Sequence, residues 1–155
     1  MKVILYINPQ CIQANPKVFV GYSDVMNLHI LCYKNGLSTF YGDNLLYPIA
    51  EAQGWHHYSK KWFMDVFFTN KIIGMIPPAK EWTYESTNYT NPQYTRQYYK
   101  NTPYKLLQGT GIVQGSLFGG HLGLMELMKK SKMKLFDLSA INTGDLIFLF
   151  IPIGK

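Results

Sequence analysis

The stretch Lys17-Val18-Phe19-Val20-Gly21-Tyr22-Ser23-Asp24 decides the fold of this chain. Its apolar run from Val18 to Val20 predicts a short buried strand, which ends at the glycine. The segment from Asp24 to Lys34 then carries apolar residues at helical spacing, and Leu37 to Tyr41 is typical of a second strand. Strand, helix and strand in this order predict a right-handed βαβ unit with a parallel sheet. The fold class expected is therefore α/β.

Ser23 stands at the turn where the first predicted strand passes into the helix. Backbone N–H groups at a helix N-terminus point outward and stabilise the oxyanion that forms during acyl transfer. The turn is therefore typical of a nucleophile elbow. The alternative is that Ser23 and Asp24 only cap the helix, because both residue types satisfy unpaired N–H groups at helix starts. The pattern alone leaves both interpretations open.

Beyond residue 42 the pattern predicts two further structural regions. A helix is expected from about Trp55 to Phe68, and no periodicity is visible from Ile76 to Tyr104, which is rich in proline and tyrosine. A glycine-punctuated β segment, a helix from His121 to Lys130 and a strand from Asp145 to Ile151 follow. We expect part of a parallel-sheet, Rossmann-like domain over 1–75, an ordered aromatic-rich crossing loop over 76–105, and the start of a β-rich C-terminal domain over 106–155.

The composition excludes several functional classes. The 155 residues, 47% of them hydrophobic, are sufficient for one ordinary domain or parts of two small ones. Because no apolar run reaches the length of a membrane span, we expect a cytoplasmic protein with no membrane partner. Two cysteines without metal spacing predict free thiols. No phosphate-binding glycine motif is present, and we predict no cofactor and no metal.

The net charge of +6 and the aromatic stretch from Trp82 to Tyr104 raise the alternative of a nucleic-acid partner. Stacking aromatic rings and basic residues together form the usual surface for single strands. Few cations lie in that stretch, however, and most lysines are scattered along the chain. We therefore expect a solvated basic surface and no nucleic-acid partner.

Three separated motifs resemble the LD-carboxypeptidase family of serine peptidases, which includes the microcin-immunity enzymes. The resemblance extends from about residue 6 to residue 150, and the motifs occur in the family's order. They are Asn15-Pro16-Lys17-Val18-Phe19-Val20-Gly21-Tyr22-Ser23-Asp24-Val25, Tyr33-Lys34-Asn35-Gly36-Leu37-Ser38-Thr39-Phe40-Tyr41-Gly42 and Gly115-Ser116-Leu117-Phe118-Gly119-Gly120-His121-Leu122.

The resemblance implies a cytoplasmic hydrolase that cleaves an amide bond next to a free C-terminal carboxylate, in murein peptides undergoing recycling or in microcin-type substrates. It implies that Ser23 is the nucleophile and that the backbone N–H of Asp24 is an oxyanion donor. The loop around Trp82 resembles the region that closes over substrate in the microcin-immunity branch. His121 stands where many relatives have asparagine and is a candidate polar contact to substrate. The alternatives are ordinary packing for Trp82 and an unbonded loop position for His121. The resemblance also implies a homodimer without metal or cofactor.

The chain departs from the family pattern in its catalytic base. Family members carry a glutamate and a histidine beyond the region that matches Leu146 to Phe150, whereas this sequence continues only to Lys155. We expect a family member shortened at both ends and catalytically silent by itself. His29 is expected to pack or cap, and His56 and His57 to be surface residues. The alternative is a non-catalytic α/β fragment that binds peptide or forms oligomers.

Overall fold

The computed structural model describes residues 2–46, 48–130 and 146–151. The helices are α1 (Pro9–Ala14), α2 (Met26–Lys34), α3 (His57–Phe68) and α4 (Leu122–Lys130). The strands are β1 (Val20–Gly21), β2 (Phe40–Tyr41), β3 (Glu81–Trp82), β4 (Tyr99–Lys100), β5 (Ser116–His121) and β6 (Leu146–Ile151). Short 3-10 helices cover Lys2–Tyr6 and Ser23–Val25.

The predicted βαβ unit is present, which confirms the α/β class. Strand β1 pairs with β2 in parallel, with Val20 opposite Phe40 and Gly21 opposite Tyr41, and α2 connects the two strands. A second parallel pair joins β5 to β6 over six residue pairs. Strands β3 and β4 instead pair antiparallel. Val18 was expected to be buried in the first strand, but it precedes β1 and is 70% exposed, so that part of the prediction is wrong.

The chain divides into two compact units. One unit consists of Met1–Gly42 with Ile112–Lys155, and the other of Asp43–Gly111. We call the first the elbow unit and the second the aromatic unit. Among the described residues, the elbow unit contains α1, β1, α2, β2, β5, α4 and β6, whereas the aromatic unit contains α3, β3 and β4.

This division differs from the boundaries at 75 and 105 that the sequence predicts. The physical reason is the core of the elbow unit, to which β5 and α4 contribute beside α2. Its buried members are Met26, Ile30, Phe118, Met125 and Met128, and Tyr33, Tyr41 and Leu124 pack against them. The chain therefore returns after residue 111 to complete the first unit, and α3 belongs to the second unit.

Within the described ranges, every helix is too short or too polar to cross a lipid bilayer.

Candidate functional site

Ser23 has a strained backbone. Its φ of 61° is positive, and no other described residue except glycines shares this feature. The left-handed region is unfavourable for residues with a Cβ atom, and such strain concentrates at functional positions. A sharp strand-to-helix turn that strains and exposes its serine is the defining geometry of a nucleophile elbow. Ser23 follows β1 by two residues and its side chain is exposed, as that geometry requires.

Ser23 does not cap helix α2. Val25 occupies the N-cap position of α2, and Tyr22 occupies that of the 3-10 turn at Ser23–Val25. Neither position has a side-chain capping hydrogen bond. Of the two interpretations left open by the sequence, the backbone geometry favours the elbow.

The turn is tight and is fixed from strand β2. A Cβ atom at Gly21 would lie only 2.7 Å from Cγ2 of Val25, so glycine is needed for this close approach. The backbone N–H of Ser23 donates to the hydroxyl of Tyr41 at 3.0 Å. Because Tyr41 pairs with Gly21 in the parallel sheet, the strand that supports the turn also orients the serine.

His29, which lies in helix α2, contacts three residues around the elbow: Gly21, Thr39 and Phe19. Its side chain is buried, its Nε2–H donates to the carbonyl of Gly21 at 3.0 Å, and its Nδ1 accepts from the Thr39 hydroxyl at 2.7 Å. This tautomer is assigned from the partners, since a carbonyl oxygen only accepts. The ring also packs edge-on with the ring of Phe19, and the two ring centroids are 4.8 Å apart. The expectation that His29 packs is confirmed.

Burial lowers the pKa of His29, although the hydrogen bond to the Gly21 carbonyl opposes this effect. The neutral ring is therefore the form that fits the site near neutral pH. Both of its nitrogens are occupied by structural partners. His29 supports the elbow and does not act as a base for Ser23.

Asp24 follows Ser23 in the first turn of the 3-10 helix, where backbone N–H groups have no partner within the helix. Its carbonyl accepts from Nδ2 of Asn27 at 3.1 Å, which fixes the peptide backbone there. Over the ranges that the structure describes, no imidazole or carboxylate hydrogen-bonds to the Ser23 hydroxyl.

His121 lies in the same unit as Ser23, at the last position of β5. Its Nδ1 accepts from the backbone N–H of Leu124 at 3.2 Å, so the ring caps α4 and the alternative of an unbonded loop histidine is wrong. The preceding Gly120 packs so closely on Met26 of α2 that a Cβ would lie 2.8 Å from the Met26 sulfur. The end of β5 therefore lies against the helix that follows Ser23.

Trp82 belongs to the aromatic unit, where it is half-exposed at the end of β3. Its ring lies 6.0 Å from that of Tyr84 and 5.9 Å from that of Tyr99. These two tyrosines stack on each other at 5.2 Å, and their hydroxyls hydrogen-bond at 2.8 Å. That hydrogen bond raises the pKa of Tyr99 to about 12. Trp82 thus contributes to an exposed cluster of aromatic rings.

His56 and His57, which were expected to be surface residues, meet Glu81 in the aromatic unit. The ligand atoms of His56, His57 and Glu81 lie within 4.8 Å of one another, close enough to be considered as metal ligands. The supports that Tyr41 and His29 give to the elbow were also missed. The role of Tyr41 could have been inferred from a parallel pairing of the two predicted strands that places Tyr41 opposite Gly21.

The comparisons with known proteins agree with the fold. The family model described as the LD-carboxypeptidase N-terminal domain matches residues 1–42, which include Ser23 and the βαβ unit. The expected resemblance to the LD-carboxypeptidase family, which is a family of hydrolases, is therefore confirmed.

Two curated relatives extend the match beyond the elbow. The microcin C7 self-immunity protein MccF of Escherichia coli is 30% identical over 149 residues, which cover 93% of this chain and 41% of MccF. A putative carboxypeptidase of Vibrio cholerae is 27% identical over 157 residues, covering 93% of this chain and 42% of that protein. The chain therefore spans about two fifths of the length of these relatives.

Solved structures of MccF-like proteins are also similar to this chain over nearly its whole length. An MccF-like protein from Streptococcus pneumoniae, in complex with AMP, superposes with a TM-score of 0.77 at 31% identity, covering 96% of this chain and 47% of that one. An MccF-like protein from Bacillus anthracis gives a TM-score of 0.75 at 25% identity, covering 96% of this chain and 42% of that one.

Proposed function

We propose that Ser23 is the nucleophile of a serine-type carboxypeptidase that cleaves an amide bond next to a free C-terminal carboxylate. The single observation that carries this proposal is the positive φ of Ser23 at an exposed turn between a strand and a helix. Two supports, the half-buried Tyr41 hydroxyl and the buried His29 ring, fix that conformation. Such preorganisation is what a catalytic serine requires and a helix cap does not.

In the proposed reaction the Ser23 oxygen attacks the amide carbonyl carbon. The carbonyl oxygen becomes an oxyanion that the Asp24 backbone N–H stabilises, and the C–N bond then breaks to release the amine. A base takes the Ser23 proton and returns it to the leaving amine, and water hydrolyses the acyl-enzyme. The resemblance assigns the base to a histidine and a glutamate. Because no described side chain contacts Ser23 as a base, we expect slow turnover from these 155 residues alone.

Two substrate classes fit the family. Murein tetrapeptides that end in a D-amino acid are one class. The other is microcin-type, since MccF structures have been solved with glutamyl sulfamoyl guanosine and with aspartyl sulfamoyl adenosine. Trp82 and His121 are proposed substrate contacts. The half-exposed ring of Trp82 is accessible to a substrate. The Nδ1 of His121 accepts from the Leu124 N–H, so its Nε2 carries the proton and can donate to a substrate.

Acylation by an activated ester tests the nucleophile without requiring full turnover. A nitrophenyl ester has a leaving group that needs no proton, so an oriented serine reacts even when the base is weak. We expect one acyl group per chain, located on Ser23 by peptide mass spectrometry, and slower labelling when either substrate class is added. The Ser23→Ala variant should not be acylated, whereas the Ser59→Ala variant on α3 should be acylated like the wild type. Equal labelling of wild type and Ser23→Ala would refute the proposal.

Exposed apolar side chains favour a second candidate, a non-catalytic chain that forms oligomers. Val18 is 70% exposed, and Ile112 and Val113 are 101% and 77% exposed. Surfaces of this kind commonly mark protein interfaces. A homodimer is the proposed assembly, and light scattering during size-exclusion chromatography measures it. A monomer across micromolar concentrations would speak against this candidate.

A further inference from the structure

Two histidines and a glutamate meet in the aromatic unit, whereas Ser23 and Asp24 belong to the elbow unit. His56 directly precedes α3, His57 is its first residue, and Glu81 begins β3. The His56 Nε2 lies 3.1 Å from Glu81 Oε1, and the His56 and His57 ring centroids are 4.5 Å apart. Glu81 lies 24 positions after His57, so the sequence spacing gives no sign of this cluster.

The ring of His56 is held in place by a chain of contacts. It stacks on Tyr98 with the centroids 5.1 Å apart and the planes inclined by 19°. The Tyr98 hydroxyl accepts from Nη2 of Arg96 at 2.8 Å, and the same nitrogen pairs with the buried carboxylate of Glu51. Contacts that orient the ligating side chains raise the affinity of a metal site. The ring is thus oriented before any ligand arrives.

We propose that His56, His57 and Glu81 bind a divalent cation of the zinc class. Two imidazoles and a carboxylate are a known set of three protein ligands for Zn²⁺, with a fourth position left to water. Ligand atoms on one tetrahedral zinc ion lie about 3.4 Å apart. The His56–Glu81 separation is already close to that value, and the exposed side chain of His57 closes the remaining gap by rotating.

The competing explanation is that His56 and Glu81 form only an ion pair. That explanation accounts for two of the three groups and makes His57 dispensable. A bound cation instead replaces the His56–Glu81 hydrogen bond with two metal bonds and adds a third from His57. The contribution of His57 therefore separates the two explanations. The proposal is also independent of the hydrolase, for which the resemblance implies no metal.

The test is the affinity of the full chain for Zn²⁺, measured by competition with a chromophoric chelator after metal removal. We expect one zinc ion per chain, and at least about a tenfold loss of affinity in His57→Ala and in Glu81→Gln. Cys11→Ser is the control, because Cys11 is an exposed thiol and thiolates bind zinc. Its affinity should equal that of the wild type.

Cobalt provides a second readout that a structural role alone would not affect. Co²⁺ at the site should give visible absorption bands of a low-coordinate complex, and His57→Ala should abolish them while circular dichroism confirms the fold. Absence of stoichiometric binding, or binding that His57→Ala and Glu81→Gln leave unchanged, would overturn the proposal. Loss of binding in Cys11→Ser would overturn it as well.

Discussion

The elbow unit and the aromatic unit are stabilised by different interactions. The elbow unit has a core of buried apolar side chains, of which Met26 and Met128 are fully inaccessible to solvent. In the aromatic unit, helix α3 contains no buried residue, and the main contacts are polar pairs and stacked rings. Examples are the pair Arg96–Glu51 and the stack of Tyr84 on Tyr99. The stability of the elbow unit therefore depends on the close packing of apolar side chains, and that of the aromatic unit on polar pairs and stacked rings.

This difference predicts which kind of substitution each unit tolerates. A well-packed core resists added volume, because no space remains for an extra methyl group. A buried polar network tolerates small changes of shape but not the loss of one partner, because the other is then left charged or unpaired. Substitutions chosen by these two rules should affect the units differently.

The largest effect should follow removal of the Glu51 charge. Arg96 contacts both carboxylate oxygens of Glu51, and the two side chains are only 13% and 7% exposed. Glu51→Gln leaves the guanidinium buried without its counter-charge, which we expect to lower the free energy of unfolding by about 3 kcal/mol. Urea denaturation followed by tryptophan fluorescence is suitable, because all three tryptophans of the chain lie in the aromatic unit.

The matched control is Asp65→Asn on helix α3. Asp65 pairs with Lys61, but their side chains are 38% and 60% exposed, so water screens the pair. We expect a change below about 1 kcal/mol. A Glu51→Gln effect no larger than this would mean that the polar pair does not hold the aromatic unit together.

The next effect concerns volume in the elbow unit. Gly120 has a φ of 139°, and its Cβ position lies 2.8 Å from the sulfur of the fully buried Met26. Gly120→Ala should therefore cost about 2 kcal/mol through strain and overpacking together. Gly36→Ala is the control, since Gly36 has a φ of 77° but open space around it, and about 1 kcal/mol is expected. Far-UV circular dichroism in urea measures both, and equal losses would argue against a tightly packed core.

The smallest effect is a dependence of stability on pH through His29. Burial lowers its pKa in the folded chain, whereas an unfolded histidine titrates near about 6.5. Above that pH both states are neutral and the stabilisation is complete. As the pH falls below that value, His29 takes up a proton in the unfolded chain before it does so in the folded chain. The free energy of unfolding therefore decreases as the pH falls from about 6.5 to the lower pKa of the folded chain.

The variant His29→Gln should reduce this dependence. Glutamine keeps a hydrogen-bond donor for the Gly21 carbonyl but cannot titrate. Between pH 7.5 and pH 5.5 we expect the wild type to lose about 1 kcal/mol more stability than the variant. Identical slopes for the two proteins would show that His29 does not cause the acid sensitivity.

Local pattern was sufficient to predict the βαβ part of the elbow unit, but not helix α1. Strand β1, helix α2 and strand β2 follow from apolar spacing and from glycines that end each element. The strand ends were less accurate, because the pairing is set by tertiary hydrogen bonds such as that from the Phe40 N–H to the Phe19 carbonyl, 2.9 Å long. The predicted domain boundaries differ for a similar reason, since Phe118 packs on a helix that is far away in sequence.

The candidate site was predictable only in part. The turn at Ser23 is visible in the sequence because glycine, serine and helix start are contiguous. The support from Tyr41 depends on which side chain the parallel register places beside the turn. The cluster of His56, His57 and Glu81 joins a helix start to a segment without periodicity, for which sequence patterns make no prediction of contacts.

The backbone of Ser23 has a consequence for how this chain changes under selection. Glycine adopts a φ of 61° without strain, whereas a serine there costs of the order of 1 kcal/mol. Selection for folding alone would therefore favour glycine at position 23, and only selection that requires the hydroxyl would retain serine. In a randomised library, the choice between these two residues separates variants enriched for stability from variants enriched for chemistry.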